Sequence, residues 1–198
     1  MGERIGIFGG TFDPIHVGHL VAAINAKHAL GLDRVVLMVA NVPWQKAESR
    51  AVSTASDRLA LVAAAVGDVP GLEAGRMEIE RGGESFTADT LAQWHEENPA
   101  DELFLIVGWD VAGELATWER GDQIRRLSTL VIVNRPGSGR PRALEEEGWR
   151  VAEVTVPNLE ISSTDLRARA ANGRPLDYLI PEAAVHCIRE RRMYAGDR

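Results

Sequence analysis

The chain has 198 residues, 45% of them hydrophobic and 26% charged, with a formal net charge of −7. That length suits one domain with a sizeable core, and the charge argues against a protein that coats nucleic acid polymers. A single cysteine, Cys187, excludes an internal disulfide and a cysteine-rich metal site. With no apolar run near the roughly 18 residues of a membrane span and no signal-peptide pattern at the start, a cytoplasmic protein without a membrane partner is expected.

Residues 4–8 are predicted as a buried strand entering a turn at Gly9-Gly10. Val17–Leu30, rich in Ala and Leu, is predicted as a helix closed by Gly31. A second strand over 34–40 completes a βαβ unit. A helix over 56–66, a strand near 72–79 and a helix over Thr87–Glu97 follow. The apolar runs 103–107 and 129–133 read as parallel strands, with a helix near 122–127 between them. Residues 137–142 read as a loop, and the tail as a strand near 151–156 and helices over 164–172 and after Pro181. Cys187 falls in that last helix, where a buried, inert thiol is expected. The alternation predicts an α/β fold: a doubly wound, mostly parallel sheet with a small C-terminal helical part, in a single domain over 1–198.

The first strand-to-helix loop carries the densest chemistry. Gly9, Gly10 and Thr11 allow the backbone to turn sharply and offer N–H groups to a phosphate. His16 and His19, three apart at a helix start, share one face, and Gly18 between them leaves room for a ligand. The loop is neither Gly-x-Gly-x-x-Gly nor a Walker A sequence, which weakens dinucleotide oxidoreductase and P-loop readings. No metal site is expected at this histidine pair. Far along the chain, Ser162, Ser163 and Thr164 are helix-capping types, with Asp165 in the first turn and Arg167 placed to fork onto phosphate oxygens.

Taken whole, Gly9-Gly10-Thr11-Phe12-Asp13-Pro14-Ile15-His16-Val17-Gly18-His19 resembles the signature of the His-x-Gly-His nucleotidylyltransferase superfamily, and residues 161–167 resemble its Ile-Ser-Ser-Thr-x-x-Arg motif. The resemblance implies a Rossmann-like nucleotidylyltransferase fold with catalytic His16, His19, Lys46 and Arg167. It implies ATP contacts from Gly9, Gly10, Thr11, Phe12, Ser162, Ser163 and Thr164. Mg2+ is implied as a cofactor carried by ATP.

The acceptor is read elsewhere. Ser85-Phe86-Thr87-Ala88-Asp89-Thr90-Leu91 is similar to the Ser-Tyr-Thr-x-Asp-Thr-Leu element of bacterial nicotinate-nucleotide adenylyltransferases, with Phe86 in place of Tyr. Gly108-Trp109-Asp110, Thr117-Trp118, Arg135-Pro136-Gly137 and Tyr178-Leu179-Ile180-Pro181 match further elements. Trp109 departs from a usually small residue, and Glu119-Arg120 departs from a frequent second Trp. The resemblance implies ATP and nicotinate mononucleotide as partners, and it allows a homo-oligomer. Thr87, Gly108, Asp110, Trp118 and Arg135 are the implied acceptor-binding residues. An aromatic face suits a pyridine ring, and Asp110 suits ribose hydroxyls. The alternatives are the amide form of that acceptor, phosphopantetheine, or a nucleotide sensor without catalysis.

Overall fold

The computed structural model describes residues 2–43, 52–134 and 142–195. Among the described residues there are six strands, β1 (Arg4–Gly10), β2 (Arg34–Val39), β3 (Leu72–Gly75), β4 (Glu102–Gly108), β5 (Ser128–Asn134) and β6 (Val151–Thr155). They form one sheet in the order β3-β2-β1-β4-β5-β6, and every pairing is parallel. The expected doubly wound α/β architecture is therefore present.

Successive side chains of a strand point to opposite faces, and the apolar runs here bury both. On β2, Val35, Leu37 and Val39 join one apolar cluster, while Val36 and Met38 join the other. The first cluster is closed by α1 (Val17–Leu30), α2 (Ala55–Val66), α8 (Ser163–Ala171) and α9 (Glu182–Glu190). The second is closed by α4 (Thr87–Glu97), α5 (Trp109–Ala112) and α6 (Gly121–Leu127). Cys187 is half-buried against the first cluster, less enclosed than expected. Among the described residues no helix is long and apolar enough to cross a membrane.

One expected element is corrected. The strand predicted near 72–79 stops at Gly75, and Met77–Arg81 forms the short helix α3. The alternation Met77-Glu78-Ile79-Glu80 suggests a strand, yet a single helical turn also serves it. Met77 packs on the second cluster and Ile79 on the first. Buried Glu78 then meets the Thr90 hydroxyl at 2.7 Å. A 3-10 turn over Leu115–Thr117 and the helix α7 (Arg142–Glu146) are too short to leave a periodic signal.

The strand order reverses between β1 and β4, so a crevice opens beyond their carboxyl ends. The β1–β4 register sets Ile7 against Leu105, and its continuation puts Gly10 level with Gly108. The first loop and the Gly108–Asp110 segment thus flank the same crevice.

Candidate active site

β1 delivers Gly9 and Gly10 to the crevice, and the chain turns through Thr11, Phe12 and Asp13, all buried. Phe12 holds a left-handed backbone, φ 49°, and its ring lies under Gly10. A Cβ on Gly10 would come within 2.7 Å of that ring, so glycine is required there for close approach. Phe12 meets the His19 ring edge-on at 5.1 Å between centroids.

His16 caps α1 with extended backbone, and its ring stacks on His19 with centroids 3.7 Å apart. The pair therefore shares a face, as the spacing predicts. The His16 backbone N–H donates to Nδ1 of His19 at 3.2 Å. A neutral His19 with Nδ1 accepting carries its proton on Nε2, which makes Nε2 a donor. Burial pushes His16 down from its ordinary 6.5 to about 4, so its ring is neutral at pH 7. Among the described residues, the buried Nδ1 of His16 finds no hydrogen-bond partner. At Gly18 a Cβ would stand 3.0 Å from that Nδ1, so the glycine makes room for the His16 ring.

The second motif reaches the first through hydrogen bonds. Ser162 caps α8, its Oγ accepting from the Asp165 N–H at 3.1 Å. Ser163 Oγ donates to the Pro14 carbonyl at 2.9 Å. Arg167 donates through Nη1 to the Asp13 carbonyl at 2.7 Å and through Nη2 to Thr164 Oγ1 at 3.1 Å. Gly9, Gly10, Thr11, Phe12, His16, His19, Ser162, Ser163, Thr164 and Arg167 are thereby gathered around one loop. Lys46 and Arg135 lie outside the described residues.

Two residues in this assembly escaped the sequence reading. Arg58, on α2, is among the largest fully buried side chains, at 1% exposure. Its guanidinium donates to the carbonyls of Ser53, Thr11 and Asn41, each at 2.9 Å. A charged residue in register with Leu61, Val62 and Ala65 on an apolar helix face was the available signal. Tyr194, beyond α9, donates its hydroxyl to Oδ1 of buried Asp13 at 2.7 Å. Burial first, then the Asp13 carboxylate, raises the Tyr194 phenol well above its ordinary value. Nothing local in the sequence marks a tyrosine 181 residues from its partner.

Near the residues expected to bind the acceptor, Asn41, just beyond β2, ties down the segment before α4. Its N–H donates to Ser85 Oγ at 2.8 Å and its side-chain amide to the Gly83 carbonyl at 2.9 Å. Thr87 is the first residue of α4, half-buried, with Phe86 rather than Thr87 at the cap position. Gly108 precedes α5 and Asp110 lies exposed in its first turn. Trp109 packs against the second apolar cluster, so its bulk is taken up by the core. Trp118 is half-buried against the same cluster. It also lines an open cavity of about 460 Å³ with Leu115, Arg120, Arg125 and Trp149, and its buried Nε1 has no partner among the described residues.

Comparisons with known proteins agree with this architecture. A family model described as cytidylyltransferase-like matches residues 7–169. A protein of Corynebacterium kroppenstedtii described as a probable nicotinate-nucleotide adenylyltransferase is 43% identical, over 96% of this chain and 90% of the relative. One so described from Thermus thermophilus is 41% identical over 96% and 99%. The structure of Plasmodium falciparum nicotinic acid mononucleotide adenylyltransferase complexed with NaAD superposes with a TM-score of 0.78, covering 97% of each chain. At 16% identity that likeness concerns the fold. The chain therefore belongs to the nicotinate-nucleotide adenylyltransferase family, within the cytidylyltransferase-like group.

Proposed function

We propose that this protein transfers the adenylyl group of ATP to nicotinate mononucleotide, giving nicotinate adenine dinucleotide and pyrophosphate. The observation that carries the reading is the stacked His16–His19 pair at the start of α1, with Arg167 hydrogen-bonded into the same loop. Family membership supplies the acceptor.

The acceptor's 5′-phosphate attacks the α-phosphorus of ATP in line. A new P–O bond forms, the bond between the α-phosphorus and the bridging oxygen breaks, and pyrophosphate leaves with the electron pair. A phosphate monoester has its second pKa near about 6, so the nucleophile is already ionised at neutral pH and no general base is required. Catalysis then consists of alignment and charge stabilisation. His19 donates from Nε2 to phosphate oxygen, His16 stacks behind it, and Arg167 presents positive charge at the loop. Lys46 and Arg135, by the sequence resemblance, add cationic contacts to ATP and to the acceptor.

Mg2+ fits this site as a passenger of the triphosphate. The donors around the loop are imidazole, hydroxyl and guanidinium groups that suit phosphate oxygens. The loop's one carboxylate, Asp13, accepts from Tyr194. The ion would supply neutralisation of the triphosphate charge.

The test is pyrophosphate release with ATP and an acceptor panel of nicotinate mononucleotide, its amide and phosphopantetheine. Turnover is expected with the first. His19→Ala should lower kcat by on the order of 10²–10³. Wild-type turnover in that variant would refute the mechanism, and ATP binding without pyrophosphate from any acceptor would point to a sensor.

A further inference from the structure

Arg120 stands where the sequence departs from the family pattern, and three observations converge on it. First, its side chain makes a two-pronged pair with Asp89 in the first turn of α4: Nη1 to Oδ1 at 2.6 Å and Nη2 to Oδ2 at 2.7 Å. Such fork-to-fork geometry fixes orientation as well as distance. Second, the same guanidinium lies 5.9 Å from the centre of the Phe86 ring, immediately before Thr87. Third, its backbone is left-handed, φ 57° and ψ 42°, although Gly121 is the next residue. An arginine held in a conformation that favours glycine, beside a glycine that does not use it, indicates that the side chain is what the position needs.

Each contact joins the two segments implicated in acceptor recognition. Phe86 and Asp89 flank Thr87, while Arg120 follows Trp118 by two residues and caps α6 through its carbonyl. The 3-10 turn over Leu115–Thr117 is pinned to the core by buried Leu115, and the exposed residues after Trp118 are where a grip from α4 can act. Arg120 supplies that grip. The carboxylate of Asp89 is held below its ordinary range by the same hydrogen bonds.

We propose that Arg120 is a positioning residue for the acceptor, latching the Trp118 loop onto the start of α4 so that Thr87 and Trp118 meet one ligand together. This rests on the acceptor reading above. The pair is partly exposed, with side-chain accessibilities of 45% and 34%, so it works as a latch of modest strength.

The test measures steady-state kinetics of the whole chain with ATP and nicotinate mononucleotide. Arg120→Gly removes the side chain while suiting the left-handed backbone, so the turn itself is retained. The KM for nicotinate mononucleotide should rise about fivefold, with the KM for ATP unchanged. The charge swap Asp89→Arg with Arg120→Asp should bring the acceptor KM back toward the wild-type value, since Asp also tolerates left-handed backbone. An unshifted acceptor KM in Arg120→Gly, with an active wild type, would overturn the latch alone. So would a parallel rise of both KM values with a lowered Tm, which marks a merely structural role. Absence of turnover by the wild type with this acceptor would overturn the acceptor reading and the latch with it.

Discussion

The buried His16 makes stability depend on pH in a way that can be isolated. Burial lowers its pKa from the ordinary 6.5 to about 4, so below 6.5 the unfolded chain takes up a proton that the folded chain refuses. Stability from this residue is fully present above that ordinary value, falls as pH drops through the window, and levels off below about 4. At roughly 1.4 kcal/mol per tenfold in affinity, the loss between about pH 7 and about pH 5 comes to about 2 kcal/mol. His16→Asn keeps a polar side chain and removes the titration. Equilibrium urea unfolding at the two pH values, followed by tryptophan fluorescence, should show the wild type losing about 2 kcal/mol more than the variant. Other titrating groups cancel in that difference. If both proteins lose the same stability, the ring accepts a proton in place and the burial argument is wrong. The same physics has a counterpart in binding. Phosphate oxygens beside the pair favour the charged imidazole, so calorimetric titration with ATP in buffers of different ionisation enthalpy should reveal net proton uptake.

Three further outcomes follow from the packing around the loop. Tyr194→Phe deletes the hydroxyl that donates to the buried Asp13 carboxylate, and should cost about 2 kcal/mol by urea unfolding while raising the KM for ATP. Arg58→Lys cannot serve the Ser53, Thr11 and Asn41 carbonyls with one ammonium, and a loss on the order of 3 kcal/mol is expected from the same measurement. Gly10→Ala would set a methyl against the Phe12 ring, which is itself boxed in by Phe8 and His19. Its overpacking should cost about 1–3 kcal/mol in unfolding and displace the loop, seen as a fall in kcat.

Much of the fold was legible because its strands are buried on both faces. Runs such as 103–107 have no polar positions to confuse their reading, and glycines punctuate their carboxyl ends. The segment 72–79 misled because a two-residue alternation also fits one helical turn wedged between two cores. The first loop stood out because its small residues and histidines are contiguous in sequence, and the structure does stack His16 on His19 there. Arg58 and Tyr194 were not, since each acts on that loop from another element and its partner is set only by tertiary contact. Arg120 is intermediate. The sequence marked it as a departure, but its pairing with Asp89 needed the packing of α4 beside α6.

The way these distant groups grip the loop bears on how it presents itself to a triphosphate. Three of its carbonyls, from Thr11, Asp13 and Pro14, are taken by side chains: Arg58 on α2, then Arg167 and Ser163 on α8. In a trans peptide unit the carbonyl and the following N–H point in opposite directions. Holding the Thr11 and Pro14 carbonyls toward these helices therefore turns the N–H groups of Phe12 and Ile15 away from them. Between the two, Pro14 has no N–H to aim. The Asp13 carboxylate, which would repel a phosphate, is drawn to the Tyr194 hydroxyl. A reaction that needs no general base depends on donors fixed before the substrate arrives, because donors that must reorganise stabilise developing charge poorly. In the proposed reaction the anchoring residues would meet that requirement, and the contacts that hold the loop come from Arg58, Ser163, Arg167 and Tyr194, outside its contiguous motif.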